Sequence, residues 1–242
     1  MARAVKAAES PTVRAPVMYH RWTHITFLHW RYPADRLQSM LPASLTVETC
    51  DGSAWVGLTP FLMKGVRAPA VPAVPWLSEF PETNVRTYVR DRRGRSGIWF
   101  FSLDADRLPA VLAARAGYWL PYFWSDMAVQ VGDRRIAYRS RRRWPGPAGA
   151  RCDADVAMGR PLASGGRDEL AHFLTARYRL FSVVAGKLVA AEVEHPEWPL
   201  HRAELDRLDQ DLIQAAGLAA AADAPLVHAS PGVPVRVGLW HS

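Results

Sequence analysis

The chain has 242 residues, of which 49% are hydrophobic and 22% charged, so we expect one large all-β or α/β domain, or two small domains. No apolar run approaches the roughly 18 residues of a membrane-spanning helix, and the two cysteines, Cys50 and Cys152, are too few for a disulfide framework. The net charge of +7 comes from scattered arginines and only three lysines. No nucleic-acid-binding module surrounds the one dense cluster of arginines, at 139–143, which argues against a nucleic-acid partner.

The first 17 residues contain no continuous apolar core, so they predict a flexible N-terminal leader and not a signal peptide. The folded part is then expected to begin at residue 18. With few cysteines and no apolar span, the simplest expectation is a reduced, cytoplasmic protein without a membrane partner.

The first predicted elements follow the leader. Aromatic and β-branched residues without helical spacing predict a strand over 20–31. A short helix is predicted over 33–42, because a proline lies near its start and another stops it. Residues 45–50 and 53–66 predict a hairpin around Asp51–Gly52, a strong turn pair.

The segment FPETNVRTYV, at 80–89 after a proline-rich loop, alternates in an unusual way. In an extended chain Glu82, Asn84 and Arg86 share one face, while Val85 lies on the other. One interpretation is a half-buried strand whose polar face meets water. The other is a barrel strand whose polar face points into the lumen, where a carboxylate, an amide and a guanidinium would converge on a ligand.

A strand and a helix are predicted next, followed by a second hairpin. The strand covers 94–106, and the helix covers 107–117 and ends at Gly117. Two strands joined by a turn at Gly132–Asp133 are predicted within 118–144.

The last third of the chain predicts two helices, a hairpin and a strand. A helix with acidic residues in its first turn is predicted over 167–177. A hairpin around Ala185–Gly186 follows. Residues 201–217 have Leu205 and Leu208 at helical spacing, which predicts an amphipathic helix closed by a glycine. A final strand covers 233–240.

Strands joined by hairpins, with a few inserted helices, predict an antiparallel sheet and not a Rossmann-type sheet. Neither G-x-G-x-x-G nor G-x-x-x-x-G-K-[ST] occurs in the chain, so no nucleotide cofactor is expected, and no other cofactor is implied. His20 and His24 have metal-ligand spacing only in a helix, and the segment is predicted to be a strand, so no metal is expected. His195 precedes a proline at a strand end and is interpreted as structural.

Several short motifs together resemble a known family. They are WTHITFLHW, DGSAWVGLTPF, FPETNVRTYV, GIWFFSLDA, LPYFWSDM, LTARYRLF and HPEWPL, which resemble the YqjF-like family (domain of unknown function 2071) over roughly residues 18–240. That family is remotely similar to acetoacetate decarboxylase. The resemblance implies a mainly β (α+β) fold, namely an antiparallel β-barrel or cone of the acetoacetate decarboxylase-like type with a few peripheral helices, as a single domain over 18–242.

The resemblance to acetoacetate decarboxylase also implies individual residues. HWRYPADRLQSMLPASLTV places Arg31 on the arginine of that family, and FPETNV places Glu82 on its pocket glutamate. In RAGYWLPYFW, however, Tyr122 replaces the lysine that forms a Schiff base with the substrate, and Phe123 replaces a second basic residue. A Schiff base needs a primary amine, so decarboxylation by that route is not expected here.

The expected catalytic group is led by Glu82, whose carboxyl would have a raised pKa inside a partly apolar barrel, which suits proton transfer. Tyr122 would donate a hydrogen bond to a substrate oxygen, and His29 would act as an acid or base. The alternatives are an ion pair between Glu82 and Arg86, a barrel-filling aromatic at Tyr122, and a core histidine at His29.

The expected binding residues are Arg31, Asn84 and Arg86. The two arginines would bind a substrate carboxylate in a bidentate manner, unless they pair with acidic neighbours instead. Arg31 and His29 fall on the same strand face, so both are expected to line the cavity.

Two hypotheses for the function follow from the residues and the resemblance. The first is an enzyme without the Schiff-base lysine, a lyase, isomerase or cyclase that acts on a keto acid or other carbonyl compound by acid–base catalysis. The second is a non-catalytic protein that binds a small ligand in the same cavity. Both imply a small carboxylate or keto acid as the partner, and a homo-oligomer is left open.

Overall fold

A computed structural model describes residues 10–162 and 169–242, and twelve strands of this part form one sheet. The strands are β1 (Met18–Tyr32), β2 (Leu45–Val47), β3 (Ala54–Arg67), β4 (Phe80–Asp91), β5 (Ser96–Ala105), β6 (Tyr122–Val131), β7 (Arg135–Trp144), β8 (Arg151–Pro161), β9 (Arg179–Val184), β10 (Lys187–Glu194), β11 (His201–Gln210) and β12 (Leu226–Val237). The helices of the described part are α1 (Ala34–Gln38), α2 (Leu108–Gly117), α3 (Glu169–Thr175) and α4 (Leu212–Ala215). None of these helices is long and apolar enough to cross a membrane.

Nine of the strands close into a barrel. Their order is β1-β3-β4-β5-β6-β7-β8-β11-β12, and β12 pairs with β1 to complete the ring. The hairpin of β9 and β10 bridges β5 to β12. Nearly all pairings are antiparallel. The parallel pairing of β5 with β6 follows from the crossover through α2. The predicted mainly β barrel with few helices is confirmed.

Both faces of β4 are buried, because this strand separates two apolar clusters of the barrel. On one face Val85 packs with Leu28 and Val56. The other face, with Glu82 and Arg86, borders the cluster that contains Phe27, Phe61 and Trp198. The interpretation in which the polar face of β4 meets water is therefore wrong.

The amphipathic helix predicted over 201–217 is wrong in its larger part. Residues 201–210 form β11, and the helix α4 begins at Leu212. The ladder between β11 and β8 slips by one residue between Leu205 and Arg207, which leaves Asp206 as a β-bulge. On a regular strand, residues three apart lie on opposite faces. The bulge brings Leu205 and Leu208 to the same apolar cluster, so their spacing resembles that of a helix.

The hairpin predicted for 45–66 is also corrected. The turn exists, with positive φ angles of 52° at Asp51 and 72° at Gly52. Strand β2, however, pairs with β4 and not with β3. Directly after β2, Glu48 binds Arg90 and Arg177. Strand β8 was missing from the predicted elements, and β12 begins earlier than expected.

The ends of two predicted segments lie outside the described residues. The leader was predicted over 1–17, of which 1–9 are not described. In the remainder Val13 is buried, its N–H donates to Glu194 Oε2 at 2.8 Å, and Val17 N–H donates to the Val237 carbonyl at 2.8 Å. This part of the leader is therefore docked on the barrel. The helix predicted over 167–177 is described from Glu169.

Candidate functional site

A cavity of about 120 Å³ lies on the face of β1, β3, β4 and β5 that the β9–β10 hairpin and α2 cover, outside the nine-stranded ring. This is several times the roughly 10–15 Å³ that one water molecule needs, so the cavity has room for a small organic molecule. Most of its wall is aromatic or aliphatic, including Trp22, Ile25, Phe61, Phe100, Leu103 and Trp198. Four predicted site residues, Glu82, Asn84, Arg86 and Tyr122, lie in this wall.

Glu82 and Tyr122 form a hydrogen-bonded pair at one end of the cavity. The Tyr122 hydroxyl donates to Glu82 Oε2 at 3.0 Å, and the Glu82 side chain is buried. Burial raises the pKa of Glu82 to about 8, the nearby charge of Asp104 adds to the rise, and the bond from Tyr122 opposes it. Glu82 therefore holds its proton at neutral pH. Burial raises the pKa of Tyr122 well above its usual value.

A fully buried ion pair lies behind Glu82. Arg142 binds Asp104 in a bidentate manner, with Nε to Oδ1 at 2.8 Å and Nη2 to Oδ2 at 2.7 Å, and Ser125 donates to the same carboxylate at 2.7 Å. The carboxylate of Asp104 thus accepts hydrogen bonds from two side chains. Its proximity disfavours a second negative charge on Glu82.

Arg86 is a buried cation without a carboxylate partner among the described residues. Its Nη2 lies 3.4 Å from the Leu174 carbonyl oxygen, and its Nε has no partner. The guanidinium lies 5.4 Å from the Phe27 ring centre and 5.9 Å from that of Tyr88. The alternative of an ion pair between Arg86 and Glu82 is therefore wrong. Asn84, between them on β4, has its Oδ1 buried without a partner.

His29 is buried but lies outside the cavity, so its predicted place there is wrong. Tyr88 donates its hydroxyl hydrogen to the Leu174 carbonyl at 2.8 Å, so His29 Nε2, at 2.6 Å, must donate to the Tyr88 oxygen. Burial, with the nearby charges of Arg86 and His228, lowers the pKa of His29 well below its usual value. His29 is therefore a neutral core histidine that supports Tyr88.

Arg31 does not line the cavity either, and this prediction is wrong as well. It shares a strand face with His29, but it lies near the end of β1, opposite the turn after β2. There its side chain is 46% exposed, pairs with Asp51 at 3.6 Å, and stacks on Trp55 with 4.6 Å between guanidinium and ring centre. Strand parity was correct, but the part of β1 that lines the cavity lies at 18–25, and Arg31 is beyond it.

Sequence reasoning missed Arg177, which also lines the cavity. Its Nη1 binds Glu48 Oε2 at 2.8 Å, its Nε donates to the Phe173 carbonyl at 2.8 Å, and its Nη2 is buried without a partner. The only available signal was its place within the motif LTARYRLF. His195, interpreted as structural, borders the cavity too, and its Nδ1 lies 2.7 Å from the Pro196 carbonyl oxygen.

No lysine lines the cavity within the described part of the chain. Lys64 borders a separate groove on the outside of the barrel, and Lys187 lies at the exposed turn between β9 and β10. His20 lines the cavity with both ring nitrogens unpartnered, and burial lowers its pKa to about 3, so it is neutral. The described residues contain no group of three His, Cys, Asp or Glu side chains that could hold a metal ion.

The bond from Tyr122 leads to a prediction about Glu82. Tyr122→Phe removes a hydrogen bond to the ionised carboxylate, so we expect the pKa of Glu82 to rise further, by about one pH unit or less, since such a bond is worth about 1 kcal/mol. Carbon-13 NMR titration of the glutamate carboxyls, assigned with Glu82→Gln, measures this. Tyr118→Phe, in the same wall, is the control and should leave the pKa unchanged. A lower pKa in Tyr122→Phe would contradict the observed bond.

Comparisons with known proteins agree on family and fold. The family DUF2071, described as "Uncharacterized conserved protein", matches residues 19–234. "Uncharacterized protein YqjF" of Bacillus subtilis (strain 168) is 35% identical over 215 residues, which cover 88% of this chain and 86% of that protein.

Two solved structures share the fold at low identity. The enduracididine biosynthesis enzyme MppR complexed with pyruvate is 14% identical, with a TM-score of 0.66 over 98% of this chain and 93% of its own. Acetoacetate decarboxylase from Legionella pneumophila is 12% identical, with a TM-score of 0.64 over 99% and 93%. The fold is therefore of the acetoacetate decarboxylase-like type, as predicted.

Proposed function

This chain belongs to the DUF2071 family of uncharacterized conserved proteins. We propose that it is an enzyme that binds a keto acid or related carbonyl compound and transfers a proton to its carbonyl oxygen, without forming a Schiff base. The reaction class is that of a lyase, isomerase or cyclase. The proposal rests on one observation. Arg86, a buried cation without a carboxylate partner among the described residues, opens into the same cavity as the protonated Glu82.

Arg86 is proposed to bind the carboxylate of the ligand. A buried guanidinium without an anion is costly, and a ligand carboxylate would supply both the missing charge and acceptors for the free nitrogens. Arg177 adds a second free nitrogen at the same end, while Glu48 balances its charge. A carboxylate bound between the two arginines would thus accept hydrogen bonds from both.

Glu82 is proposed as the general acid. A carboxyl with a pKa of about 8 keeps its proton at neutral pH and can still release it, which is the property that general acid catalysis needs. When the α C–H bond of the substrate breaks, its proton would pass to a water molecule and its electron pair would form the C=C bond of the enol. The π electrons of the carbonyl group would then move onto its oxygen, to which Glu82 would donate its proton. Tyr122 would then donate its hydrogen bond to the resulting carboxylate, which is the contact already present in the cavity.

A ligand screen tests this function. Carboxylic acids and keto acids should raise the melting temperature of the protein, and matched amides of the same shape should not, because they lack the charge that Arg86 binds. Each hit is then assayed for turnover. Binding without turnover would favour the second hypothesis, a non-catalytic ligand-binding protein, and binding of amides as tight as that of acids would contradict both.

The absence of a lysine from the cavity wall leads to a prediction about trapping. We expect incubation with acetoacetate and borohydride to leave no adduct that mass spectrometry detects, because Tyr122 has no amine to form an imine. A decarboxylase that has the lysine serves as the positive control. A stable adduct on Lys64 or Lys187 would overturn this prediction and restore Schiff-base decarboxylation as the leading function.

A further inference from the structure

The cavity has two polar ends of different character. At one end the guanidinium groups of Arg86 and Arg177 lie 5.9 Å and 5.1 Å from the ring centre of Tyr88. At the other end Glu82 and Tyr122 form their hydrogen-bonded pair. The first end is cationic, and the second is neutral at pH 7.

The geometry of β4 sets the distance between these ends. Glu82 and Arg86 are four residues apart on one continuous strand, so their Cα atoms are separated by about 13 Å. The Arg86 guanidinium lies 5.4 Å from the Phe27 ring centre and 5.9 Å from that of Tyr88, which is two residues further from Glu82 along the strand. Burial lowers the pKa values of His29 and His195, and the charge of Arg86 lowers them further. The pKa of Glu82, in contrast, is shifted by burial, Tyr122 and Asp104.

The wall between the two ends is apolar. Phe61 on β3 lies opposite Glu82, Leu103 on β5 lies opposite Asn84, and Phe100 on β5 lies opposite Arg86. Residues opposite one another on neighbouring strands share a face of the sheet, so these three side chains cover the cavity wall between Glu82 and Arg86. Between Glu82 and Arg86 this face of β4 carries Asn84, whose buried and unpartnered Oδ1 needs a donor from the ligand or a water molecule.

We propose that the substrate is a medium-length keto acid whose carboxylate and carbonyl are separated by an apolar body, on the order of 7–10 Å end to end. This inference rests on the proposed function, and it names the substrate class of the same site. A 2-keto or 3-keto acid is too short, because a carboxylate held at Arg86 leaves its carbonyl outside the hydrogen-bond reach of Glu82, about 3 Å. The apolar interval is matched by methylene groups or a ring.

A series of acids tests the length. Calorimetric affinities are measured for pyruvate, for acetoacetate and for keto acids with roughly five to seven methylene groups between carboxylate and ketone. An extended chain advances about 1.3 Å per C–C bond, so roughly six to eight bonds span the interval. Fatty acids of the same length without the ketone separate the effect of apolar burial from that of Glu82. Each ligand is measured with the wild type, Arg86→Met and Glu82→Leu, which has no donor for the ketone, after the melting temperature has shown that each variant is folded.

The expected pattern has two parts. All acids should depend on Arg86, and only the medium-length keto acids should lose affinity, by about fivefold, in Glu82→Leu, since one buried hydrogen bond is worth about 1 kcal/mol. Short keto acids that lose affinity equally in Glu82→Leu would overturn the length inference and leave the proposed function standing. Acids that bind Arg86→Met as tightly as the wild type would overturn the proposed function itself.

Discussion

Arg86→Met is expected to reduce the affinity for a carboxylate ligand by about 30-fold to 1,000-fold, because it removes one partner of a buried, hydrogen-bonded charge pair, a loss of about 2–4 kcal/mol. The same substitution should leave the free energy of unfolding unchanged or higher. In the free protein Arg86 is a buried cation without a carboxylate partner among the described residues, and its hydrogen bond to the Leu174 carbonyl is long at 3.4 Å. Calorimetry and urea denaturation measure the two quantities.

Arg31→Met is the matched control. Arg31 makes a surface ion pair with Asp51 and stacks on Trp55, outside the cavity, so its loss should leave ligand affinity unchanged. Surface ion pairs contribute at most about 1 kcal/mol, so the fold should tolerate the change. A carboxylate that binds Arg86→Met normally, or Arg31→Met poorly, would place the anion site elsewhere.

Glu82→Gln is expected to change how stability depends on pH. In the folded protein burial raises the pKa of Glu82 to about 8, whereas an unfolded glutamate has a pKa of about 4.3. Between these values the folded state binds more protons than the unfolded state, so stability falls as pH rises. This carboxyl should therefore cost the wild type about 3–5 kcal/mol between pH 5 and pH 8.5, and the cost should be absent in Glu82→Gln.

Urea denaturation at pH 5, 7 and 8.5 measures this difference, because other groups titrate equally in both proteins and cancel. Buried His20 acts in the opposite direction at lower pH, since its folded pKa is about 3 and stability on its account rises up to about pH 6.5. Glu79→Gln, an exposed substitution three residues before Glu82, is the control and should follow the wild type. Parallel pH curves for the wild type and Glu82→Gln would contradict a buried, protonated Glu82.

The sequence by itself determined the barrel and the strand that bears the site. Period-two alternation placed Glu82, Asn84 and Arg86 on one face, because side chains of an extended chain alternate. The turns at Asp51–Gly52 and at Ala185–Gly186 could also be predicted, because a turn depends on the types of adjacent residues. The family resemblance assigned both Tyr122 and Glu82 to the pocket, and in the structure the Tyr122 hydroxyl donates to Glu82 Oε2 at 3.0 Å.

Only the tertiary structure decided which partners meet and how far along β1 the cavity extends. Arg31 and His29 share a strand face, yet Arg31 pairs with Asp51 at the surface and His29 is buried against Tyr88. Strand parity gives the face of a side chain, but it does not say how far along the strand the cavity extends. The bulge at Asp206 made a strand imitate a helix. Arg177 reaches the cavity from outside any regular element, 91 residues after Arg86, so no local pattern could bring these two cations to one end of the pocket. Those contacts form only when distant segments pack together.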